Sequence, residues 1–345
     1  MSTVNAIELE SFAKALLAAG GYTPDHAART AEVLVWANLR GADSHGVLRI
    51  PRYLEMVKLG KIAPKAQPVI TQQSGATAVL DAKRAPGPSA MTAAMLTGLD
   101  LAAHNGIGCC VARDISHAGA VGYYAQQASD RNMVGVVMTA SGPLMAYHGA
   151  AQSALSTNPL SIAVPSGGDP ILLDMSTSAV ALGKVMQAKD AGAAIPEGWG
   201  VDENGHATQD PNAVATLLPM AGPKGSGLSL MIEILCSLLA NNPVIAPALE
   251  GKGGAMNGLA IAIDIARFCD PATFGANVRH LSGLLHDLPK APGTDAVLLP
   301  GERGFACARE RQANGVLLAS GTLTKLAALA ADLGVGLPAS MAQTA

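Results

Sequence analysis

The sequence predicts an α/β protein, and three observations favour this fold class. The chain has 345 residues, 49% of them hydrophobic, which is enough for one large domain or for two intertwined ones. Only 3% of the residues are aromatic while 38 are glycine, so the interior is expected to depend on close approach between backbones rather than on large rings. From about residue 77 onwards, short apolar runs alternate with segments of helical length, as in α/β proteins.

The first sixty residues predict helices. The second helix is expected to begin at Thr23 and Pro24, a typical N-cap and first helical position, and to run to about Arg40. A polar turn at residues 43–46 follows, and a third helix is expected over residues 51–59, because proline is tolerated at a helix start but not within a helix. The apolar face of the first helix is formed by Leu9, Phe12, Ala13, Leu16 and Leu17.

The later elements are predicted from runs that glycine and proline delimit. The strand candidates are residues 78–80, 107–112, 134–138, 161–164, 171–173, 259–265 and 297–299. The helix candidates are residues 89–104, 119–131 and 178–188. Residues 196–211 are rich in Gly, Asp, Asn and Pro, which predicts a long surface loop with a turn at residues 202–205.

Composition and charge exclude several classes of function. The 23 basic and 26 acidic side chains nearly cancel, so we expect small-molecule partners and neither nucleic acid nor a membrane. Five cysteines without CxxC spacing are typical of a reducing compartment. Glu8 and Glu10 interrupt the N-terminal segment, which argues against a signal peptide, and the apolar stretch 228–240 is too short to span a membrane. A cytoplasmic protein is expected.

The familiar nucleotide-binding and hydrolase motifs are absent from the sequence. No GxGxxG, GxxxxGK[ST] or GxSxG pattern occurs, which removes a Rossmann fingerprint, a P-loop and a nucleophile elbow. The eight histidines show neither HExxH nor paired Cys/His spacing, so no metal site is expected. The chemistry is therefore expected from polar residues on connections between elements.

Seven short polar motifs follow one another along the chain. The first is Asp43-Ser44-His45-Gly46-Val47-Leu48-Arg49, followed by Pro51 and Tyr53. The other six are Ser116-His117-Ala118-Gly119, Ser156-Thr157-Asn158-Pro159, Leu173-Asp174-Met175-Ser176-Thr177-Ser178, Gly198-Trp199-Gly200-Val201-Asp202, Gly222-Pro223-Lys224-Gly225 and Pro300-Gly301-Glu302-Arg303. Together, in this order, they closely resemble the motifs of the malate/L-lactate dehydrogenase family.

The resemblance implies a fold, a cofactor and an assembly. It implies a nicotinamide-binding fold that is not Rossmann, with a largely antiparallel sheet wrapped by helices and a helical substrate domain. The cofactor implied is NAD, with NADP as the alternative, and the basic unit is a homodimer. The expected division is a helical part of the substrate domain at residues 1–75, a cofactor-binding sheet domain at residues 76–224, and residues 225–345 completing both.

Five residues are candidates for catalysis and substrate binding. His45 and His117 are acid/base candidates by the resemblance, and an imidazole exchanges protons near neutral pH; the alternatives are a turn histidine and a helix-capping histidine. The sequence leaves open which one transfers the proton. Arg49, four residues after His45, carries a guanidinium fork suited to a carboxylate. Ser44 and Tyr53 are added as substrate-binding candidates, with core packing as the alternative for Tyr53.

A second set of residues is expected to bind the cofactor. Lys224 precedes an apolar helix, so an ammonium and backbone N–H groups would meet at a helix N-terminus and suit a pyrophosphate; a solvated lysine is the alternative. Asp174 ends a strand, and the residues after it could also cap the next helix. The whole set is Ser141, Thr157, Asn158, Asp174, Met175, Ser176, Lys224, Gly225, Glu302 and Arg303, of which several rest on the resemblance alone.

The expected function is hydride transfer to or from the α-carbon of a small 2-hydroxy or 2-oxo acid, of the malate, lactate or ureidoglycolate type. The shared feature of the family's substrates is a carboxylate beside a C=O or C=N bond. A reductase of a cyclic or N-alkyl imine carboxylate therefore remains an alternative. A dinucleotide-binding protein without catalysis is a third, and the joint presence of His45, His117, Arg49 and Lys224 argues against it.

Overall fold

The computed structural model describes residues 2–253 and 255–342. Its strands are β1 (Ser2–Val4), β2 (Val69–Ser74), β3 (Thr77–Asp81), β4 (Ile107–Ile115), β5 (Met133–Ala140), β6 (Met145–Ala146), β7 (Ser153–Leu155), β8 (Leu160–Val164), β9 (Ile171–Met175), β10 (Gly200–Val201), β11 (Thr216–Leu217), β12 (Met256–Asp264) and β13 (Val316–Leu318). Its α-helices are α1 (Ala6–Ala19), α2 (Pro24–Leu39), α3 (Ile50–Lys58), α4 (Gly87–Asn105), α5 (Gly122–Ser129), α6 (Leu182–Ala191), α7 (Pro223–Glu233), α8 (Ile245–Leu249), α9 (Pro271–His286), α10 (Glu302–Asn314), α11 (Ser320–Leu333) and α12 (Ala339–Ala342).

A seven-stranded sheet forms the centre of the molecule, in the order β2-β3-β4-β12-β5-β8-β9. The β3–β4 pair is parallel, and the other neighbouring pairs are antiparallel. Strand β12 lies in the middle, where Ile261 is opposite Cys109 of β4 and Val136 of β5. The prediction of an α/β protein with a largely antiparallel sheet wrapped by helices is confirmed.

Helices cover both faces of the sheet because side chains alternate along β4 and β12. On one face, small residues let α4 lie directly on β4: a Cβ atom on Gly108 would be 1.9 Å from the carbonyl oxygen of Gly98. On the other face, α7 and the π-helical turn after it, Ile234–Leu238, pack against the sheet. The close backbone approach that the composition predicts is therefore present at the α4–β4 contact.

A second core joins the two ends of the described chain. Strand β1 pairs with β13, and α1, α2, α3 and α11 enclose a cluster of apolar side chains. Helix α2 begins as predicted, since the Thr23 hydroxyl accepts a hydrogen bond from His26 N at 3.3 Å. The predicted apolar face of α1 is buried in full, through Leu9, Phe12, Ala13, Leu16 and Leu17.

Some of the predicted elements were wrong. Residues 297–299 form no strand; Leu298 is 53% exposed, and Pro300, which has no N–H to donate, follows directly. Ile265 belongs to a 3-10 turn rather than to β12, because the Asp264 carboxylate accepts from Ala266 N and ends the strand. The loop at residues 196–211 contains the short strand β10, which pairs with β11.

The limits of the two predicted domains stay a prediction. None of the helices in the described part of the chain is long and apolar enough to cross a bilayer.

Candidate active site

The structure brings the two candidate histidines together. His45 ends a 3-10 turn, Asp43–His45, and His117 lies after the end of β4. Their rings stack with centroids 5.7 Å apart and planes 20° apart. The Tyr53 hydroxyl, from α3, lies 2.7 Å from His117 Nδ1. These three side chains, which are up to 72 residues apart by their numbers, therefore share one site.

Arg49 lies in the next 3-10 turn, and one hydrogen bond to a described residue holds its side chain. Its Nε donates to the Ser44 carbonyl oxygen at 2.6 Å, and the Ser44 hydroxyl is 3.0 Å from His45 Nδ1. Within the described residues, no carboxylate pairs with the Arg49 guanidinium. Its two terminal amino groups remain available for a ligand, in the end-on arrangement that a carboxylate fits.

Two residues that the sequence analysis missed hold the loop that carries His45. The Arg311 guanidinium, from α10, donates to both carboxylate oxygens of Asp43, at 2.7 and 3.1 Å. Asn38, from α2, donates to Asp43 at 2.7 Å and accepts from Val47 N at 2.8 Å. A side chain on Gly46 would strike Asn38, since a Cβ atom there would be 2.2 Å from its Oδ1. The DSHG segment is thus clamped from two helices.

The loop after β4 is fixed as firmly. The Ser116 hydroxyl accepts from Gly87 N at 2.7 Å, and the Tyr124 hydroxyl donates to the Ala118 carbonyl. Gly119 N donates to His117 Nδ1 at 3.2 Å. A Cβ atom on Gly87 would be 2.4 Å from the His117 carbonyl oxygen, so α4 starts against this loop. The position of the His117 ring is therefore determined by backbone contacts.

Burial and charge lower the pKa values of both histidines. Desolvation first, and the nearby Arg49 guanidinium second, lower the pKa of His45 to about 4. Desolvation, Arg49 and then His45 lower the pKa of His117 to about 3. Burial raises the pKa of the Tyr53 hydroxyl, which therefore stays protonated. At neutral pH the site holds two neutral imidazoles beside one guanidinium.

A second group of polar side chains lies where four segments with predicted cofactor residues meet: residue 141, residues 156–159, residues 173–178 and the start of α7. The Ser141 hydroxyl is 2.6 Å from that of Ser156, and Ser141 N donates to Asn158 Oδ1 at 3.3 Å. Asn158 Nδ2 donates to the Ser229 carbonyl at 3.0 Å, and the Ser229 hydroxyl donates to the Ser156 carbonyl at 2.8 Å. Ser229 belongs to α7, so the ends of β5 and β7 are tied to this helix.

The segment after β9 completes this group. Thr177 N donates to the Thr157 carbonyl at 3.0 Å, and the Thr177 carbonyl accepts from Met220 N at 2.9 Å. A Cβ atom on Gly225 would be 2.5 Å from the Thr177 carbonyl oxygen, so glycine is required for α7 to approach. The Thr177 hydroxyl is buried without a hydrogen-bond partner. The hydroxyls of Ser176 and Ser178 are 3.0 Å apart.

Lys224 lies at the start of α7 as predicted, but the amides beside it are occupied. Lys224 is exposed, and no carboxylate of the described residues pairs with it. Lys224 N donates to the Ala221 carbonyl at 3.4 Å, and Gly225 N to the Met220 carbonyl at 2.8 Å. These two N–H groups of the predicted pyrophosphate site are therefore engaged, because the turn before α7 folds back onto them. The ammonium is the group that remains available.

A cavity of about 440 Å³ adjoins this helix start, a volume in the usual range for small-molecule sites. Its lining includes Tyr147, His148, Ala179, Leu218 and Gly222. The sequence analysis did not single out His148, whose ring lies 3.3 Å from the position of a Cβ atom on Gly222.

Asp174 connects the second group to the loop that carries His117. Its carboxylate accepts from Gly122 N at 3.0 Å. The side chain is solvent-accessible, yet the protein surrounds it closely enough that desolvation raises the pKa of its carboxyl group to about 6, against the opposing effects of Gly122 N and Arg40. The Arg40 guanidinium lies 3.8 Å from the centre of the Phe305 ring. Asp174 thus caps the first residue of α5.

Glu302 and Arg303 stand apart from this arrangement. The Glu302 carboxylate accepts from Leu299 N at 2.9 Å and lies 2.8 Å from His286 Nε2. Arg303 is exposed. Glu302 is therefore engaged in starting α10, and within the described residues no hydrogen bond or ion pair joins Glu302 or Arg303 to the other candidate cofactor residues.

The described residues include no group of three or more His, Cys, Asp or Glu side chains placed to hold a metal ion.

Comparison with known proteins identifies the family. A model of the malate/L-lactate dehydrogenase family matches residues 4–327. The chain is 34% identical over 328 residues to malate/(S)-sulfolactate dehydrogenase of Methanothermus fervidus, covering 93% of this chain and 95% of the relative. It is 35% identical over 292 residues to ureidoglycolate dehydrogenase (NAD(+)) of Escherichia coli strain K12, covering 83% and 84%.

Among solved structures, delta1-piperideine-2-carboxylate reductase from Pseudomonas syringae superposes with a TM-score of 0.83 at 30% identity, covering 95% of this chain and all of that one (100%). The chain belongs to the malate/L-lactate dehydrogenase family. The two relatives are named as dehydrogenases, so membership makes this chain an oxidoreductase and implies a nicotinamide cofactor.

Proposed function

We propose that this chain is an NAD-dependent dehydrogenase of a small 2-hydroxy acid, acting on the α-carbon beside the carboxylate. The observation that carries the proposal is the cluster of His45, His117 and Arg49, in which an unpaired guanidinium adjoins two neutral imidazoles. Such a set can bind a carboxylate and move a proton on the adjacent oxygen. A nicotinamide, when bound, supplies or accepts the hydride.

The substrate's carboxylate binds to Arg49. The Nε of Arg49 is already engaged with the Ser44 carbonyl, which holds the guanidinium plane and leaves its outer edge for two parallel hydrogen bonds. The α-carbon then lies beside the stacked imidazoles. Because the α-carbon is bonded to the carboxylate, holding the carboxylate at Arg49 also fixes the position of the carbon that reacts.

The second polar group fits a nicotinamide cofactor in part. The Lys224 ammonium suits a pyrophosphate by charge, and the buried Thr177 hydroxyl lacks a partner that a ligand could supply. Ser141, Thr157, Asn158, Asp174, Met175, Ser176 and Gly225 lie in or beside this group. We propose NAD over NADP because the relative from E. coli carries NAD(+) in its name.

The second candidate function is reduction of a cyclic imine carboxylate. The observation that favours it is the match to delta1-piperideine-2-carboxylate reductase over the full length of that chain. The Arg49 contact would be the same, since both substrates carry the carboxylate. The proton would go to nitrogen instead of oxygen.

A panel of substrates separates these functions. NADH and NADPH oxidation would be followed with several 2-oxo acids, with and without ammonia or methylamine, and with a cyclic imine carboxylate. The proposal expects turnover without an amine and a higher kcat/KM with NADH. Turnover that requires the amine, or that occurs only with the cyclic imine, would instead establish the imine reductase. Cofactor binding without turnover of any of these substrates would indicate a binding protein.

Lys224→Ala is expected to raise the Kd for NADH by about tenfold or more, the scale of one lost charge-assisted hydrogen bond. The fold should be unaffected because the side chain is exposed. Fluorescence titration of NADH measures the Kd, and thermal unfolding checks the Tm. Lys325→Ala, at an exposed position of α11, is the matched control. Equal affinity in both variants would show that Lys224 does not hold the cofactor.

We also propose a homodimer in a reducing, cytoplasmic compartment. Leu281 and Leu284 of α9, with Leu288 just after it, are each at least half exposed, and a row of exposed apolar side chains supports association. All five cysteines are free thiols, which supports the compartment. Sedimentation of the purified chain tests the dimer.

A further inference from the structure

We infer that His117 is a fixed hydrogen-bond donor through Nε2 and that proton transfer falls to His45. This inference rests on the proposed function and assigns the two roles that the sequence leaves open. It follows from which atoms face the ring nitrogens, since a backbone N–H can only donate and a carbonyl can only accept.

The contacts of His117 determine its tautomer. Gly119 N is 3.2 Å from His117 Nδ1 and donates to it, so Nδ1 must present its lone pair. The Tyr53 hydroxyl, 2.7 Å from the same nitrogen, is then a second donor. A neutral imidazole whose Nδ1 is unprotonated carries its hydrogen on Nε2. His117 therefore presents an N–H, not a lone pair, through Nε2.

Adding a second proton to His117 would place a hydrogen on Nδ1 against the Gly119 N–H. Arg49 and His45, which also face the ring, disfavour the cation further. His117 thus stays neutral while the Gly119 contact lasts. Its Nε2–H can stabilise negative charge on a substrate oxygen, but it is a poor acid and cannot act as a base.

His45 has no such restriction. Within the described residues, the hydrogen-bond partner of its ring is the Ser44 hydroxyl, 3.0 Å from Nδ1. A hydroxyl both donates and accepts, so His45 can change its tautomer or take up a proton without losing this contact. Among the described residues, the charged group that faces His45 is Arg49, and the neutral His117 ring stacks on the His45 ring.

The proton can then be followed through the reaction. In reduction, a bound reduced nicotinamide would supply the hydride to the substrate's carbonyl carbon. As the C=O π electrons move to oxygen, this oxygen takes the proton from cationic His45. Neutral His45 results. In oxidation, neutral His45 takes the hydroxyl proton while the α-carbon gives up its hydride, for which a bound oxidised nicotinamide would be the acceptor. His117 donates a hydrogen bond to the same oxygen throughout and keeps its own proton.

Long-range ¹⁵N–¹H correlation spectra of the full chain, labelled at histidine, test the tautomer directly and without activity. We expect His117 to show protonated Nε2 and unprotonated Nδ1, unchanged from about pH 5 to about pH 8. His104 and His26 are internal references: His104 Nδ1 lies 2.8 Å from the Asp100 carbonyl and must be protonated there, whereas His26 Nε2 lies 2.9 Å from the Ala66 carbonyl. Single-histidine variants assign the signals.

Tyr53→Phe sharpens this test. Because the Gly119 amide remains, the variant should keep the His117 tautomer. Tyr22→Phe is the matched control, since the Tyr22 hydroxyl is buried without a partner. A proton on His117 Nδ1 in the original chain or in Tyr53→Phe would overturn the assignment. Uptake of a second proton by His117 between about pH 5 and about pH 8 would overturn it as well. That result would leave the dehydrogenase proposal standing, because the substrate panel tests it separately.

Kinetics test the division of roles. Glutamine at position 117 retains an N–H donor near the place of Nε2, so His117→Gln should keep kcat within about tenfold of the original, whereas His117→Ala should lose about 100-fold, the scale of one missing donor to an oxyanion. Glutamine at position 45 also keeps a donor but cannot transfer a proton, so His45→Gln should not retain kcat as His117→Gln does. Equal losses in the two variants at position 117, or near-original kcat in His45→Gln, would overturn the inference.

Discussion

His45→Ala is expected to lower kcat by about 100-fold or more, the usual scale of a lost general acid/base. Arg49 and His117 remain in place, because the Asp43 contacts to Arg311 and Asn38 hold the loop independently of the His45 ring. KM for the acid should therefore change little. Steady-state kinetics in both directions measure the effect, and the Kd for NADH, measured by fluorescence, should be unaltered.

The pH dependence of the unaltered chain has a definite sign. The pKa of His45 is lowered to about 4 by burial and Arg49, so the neutral form, which accepts a proton, predominates at neutral pH. The kcat/KM of oxidation should be independent of pH above about 5, as far as His45 is concerned. The kcat/KM of reduction requires the cation and should fall as pH rises. His45→Ala should lose this pH dependence of reduction.

Chemical rescue distinguishes proton transfer from a positional role. Exogenous imidazole should restore part of kcat in His45→Ala, because the deleted ring leaves space beside the Ser44 hydroxyl. His104→Ala, at an exposed position on α4, is the matched control. Its kcat should equal that of the original chain and should not change when imidazole is added. Near-original turnover of His45→Ala would contradict acid/base catalysis by this residue.

Local sequence predicted the parts of the site that lie close together in the chain. Ser44, His45 and Arg49 are within six residues of one another, so a turn followed by a helix start was enough to place them on one connection. The start of α2 at Thr23 and the buried face of α1 were predictable for the same reason, since caps and helical periodicity are local patterns. Tertiary packing did not override them.

Contacts between distant segments had no comparable signal. Arg311 is 268 residues from Asp43, and nothing in the sequence around it distinguishes it from the other arginines of α10. The Gly119 group that fixes His117 is a backbone N–H, and every residue except proline has one, so the sequence does not mark it. Ser156 stood inside a recognised motif, but only the fold shows that its hydroxyl meets Ser141. Such residues became visible when the sheet brought their segments together.

The start of α7 shows how a sound local pattern can mislead. A glycine-rich helix start with a lysine predicts free amides, because the first N–H groups of a helix lack partners within it. Here the preceding turn supplies them: Gly222 has a φ of 61°, and the carbonyls of Met220 and Ala221 accept from the helix. The positive φ that lets the turn fold back is itself a reason for glycine at this position.

Arg49→Ala is expected to lower kcat/KM for the preferred acid by about 100-fold or more. Two charge-assisted hydrogen bonds to a carboxylate contribute about 3 kcal/mol together, and this is about 100-fold in rate. Arg49→Lys keeps the charge but loses the planar fork and the Nε contact to the Ser44 carbonyl. Its kcat/KM should therefore lie between that of the original chain and that of Arg49→Ala. The Kd for NADH should not change.

The decisive comparison is between the acid and its amide or methyl ester in each protein. The original chain should strongly prefer the acid, and Arg49→Ala should lose most of this preference, because the group that distinguishes a carboxylate from a neutral oxygen pair is gone. Arg52→Ala is the matched control: Arg52 is only three residues away but exposed, and its Nη1 pairs with Glu55 at 2.6 Å. If Arg49→Ala still discriminates as the original chain does, another residue holds the carboxylate, and the substrate does not lie between Arg49 and the two imidazoles.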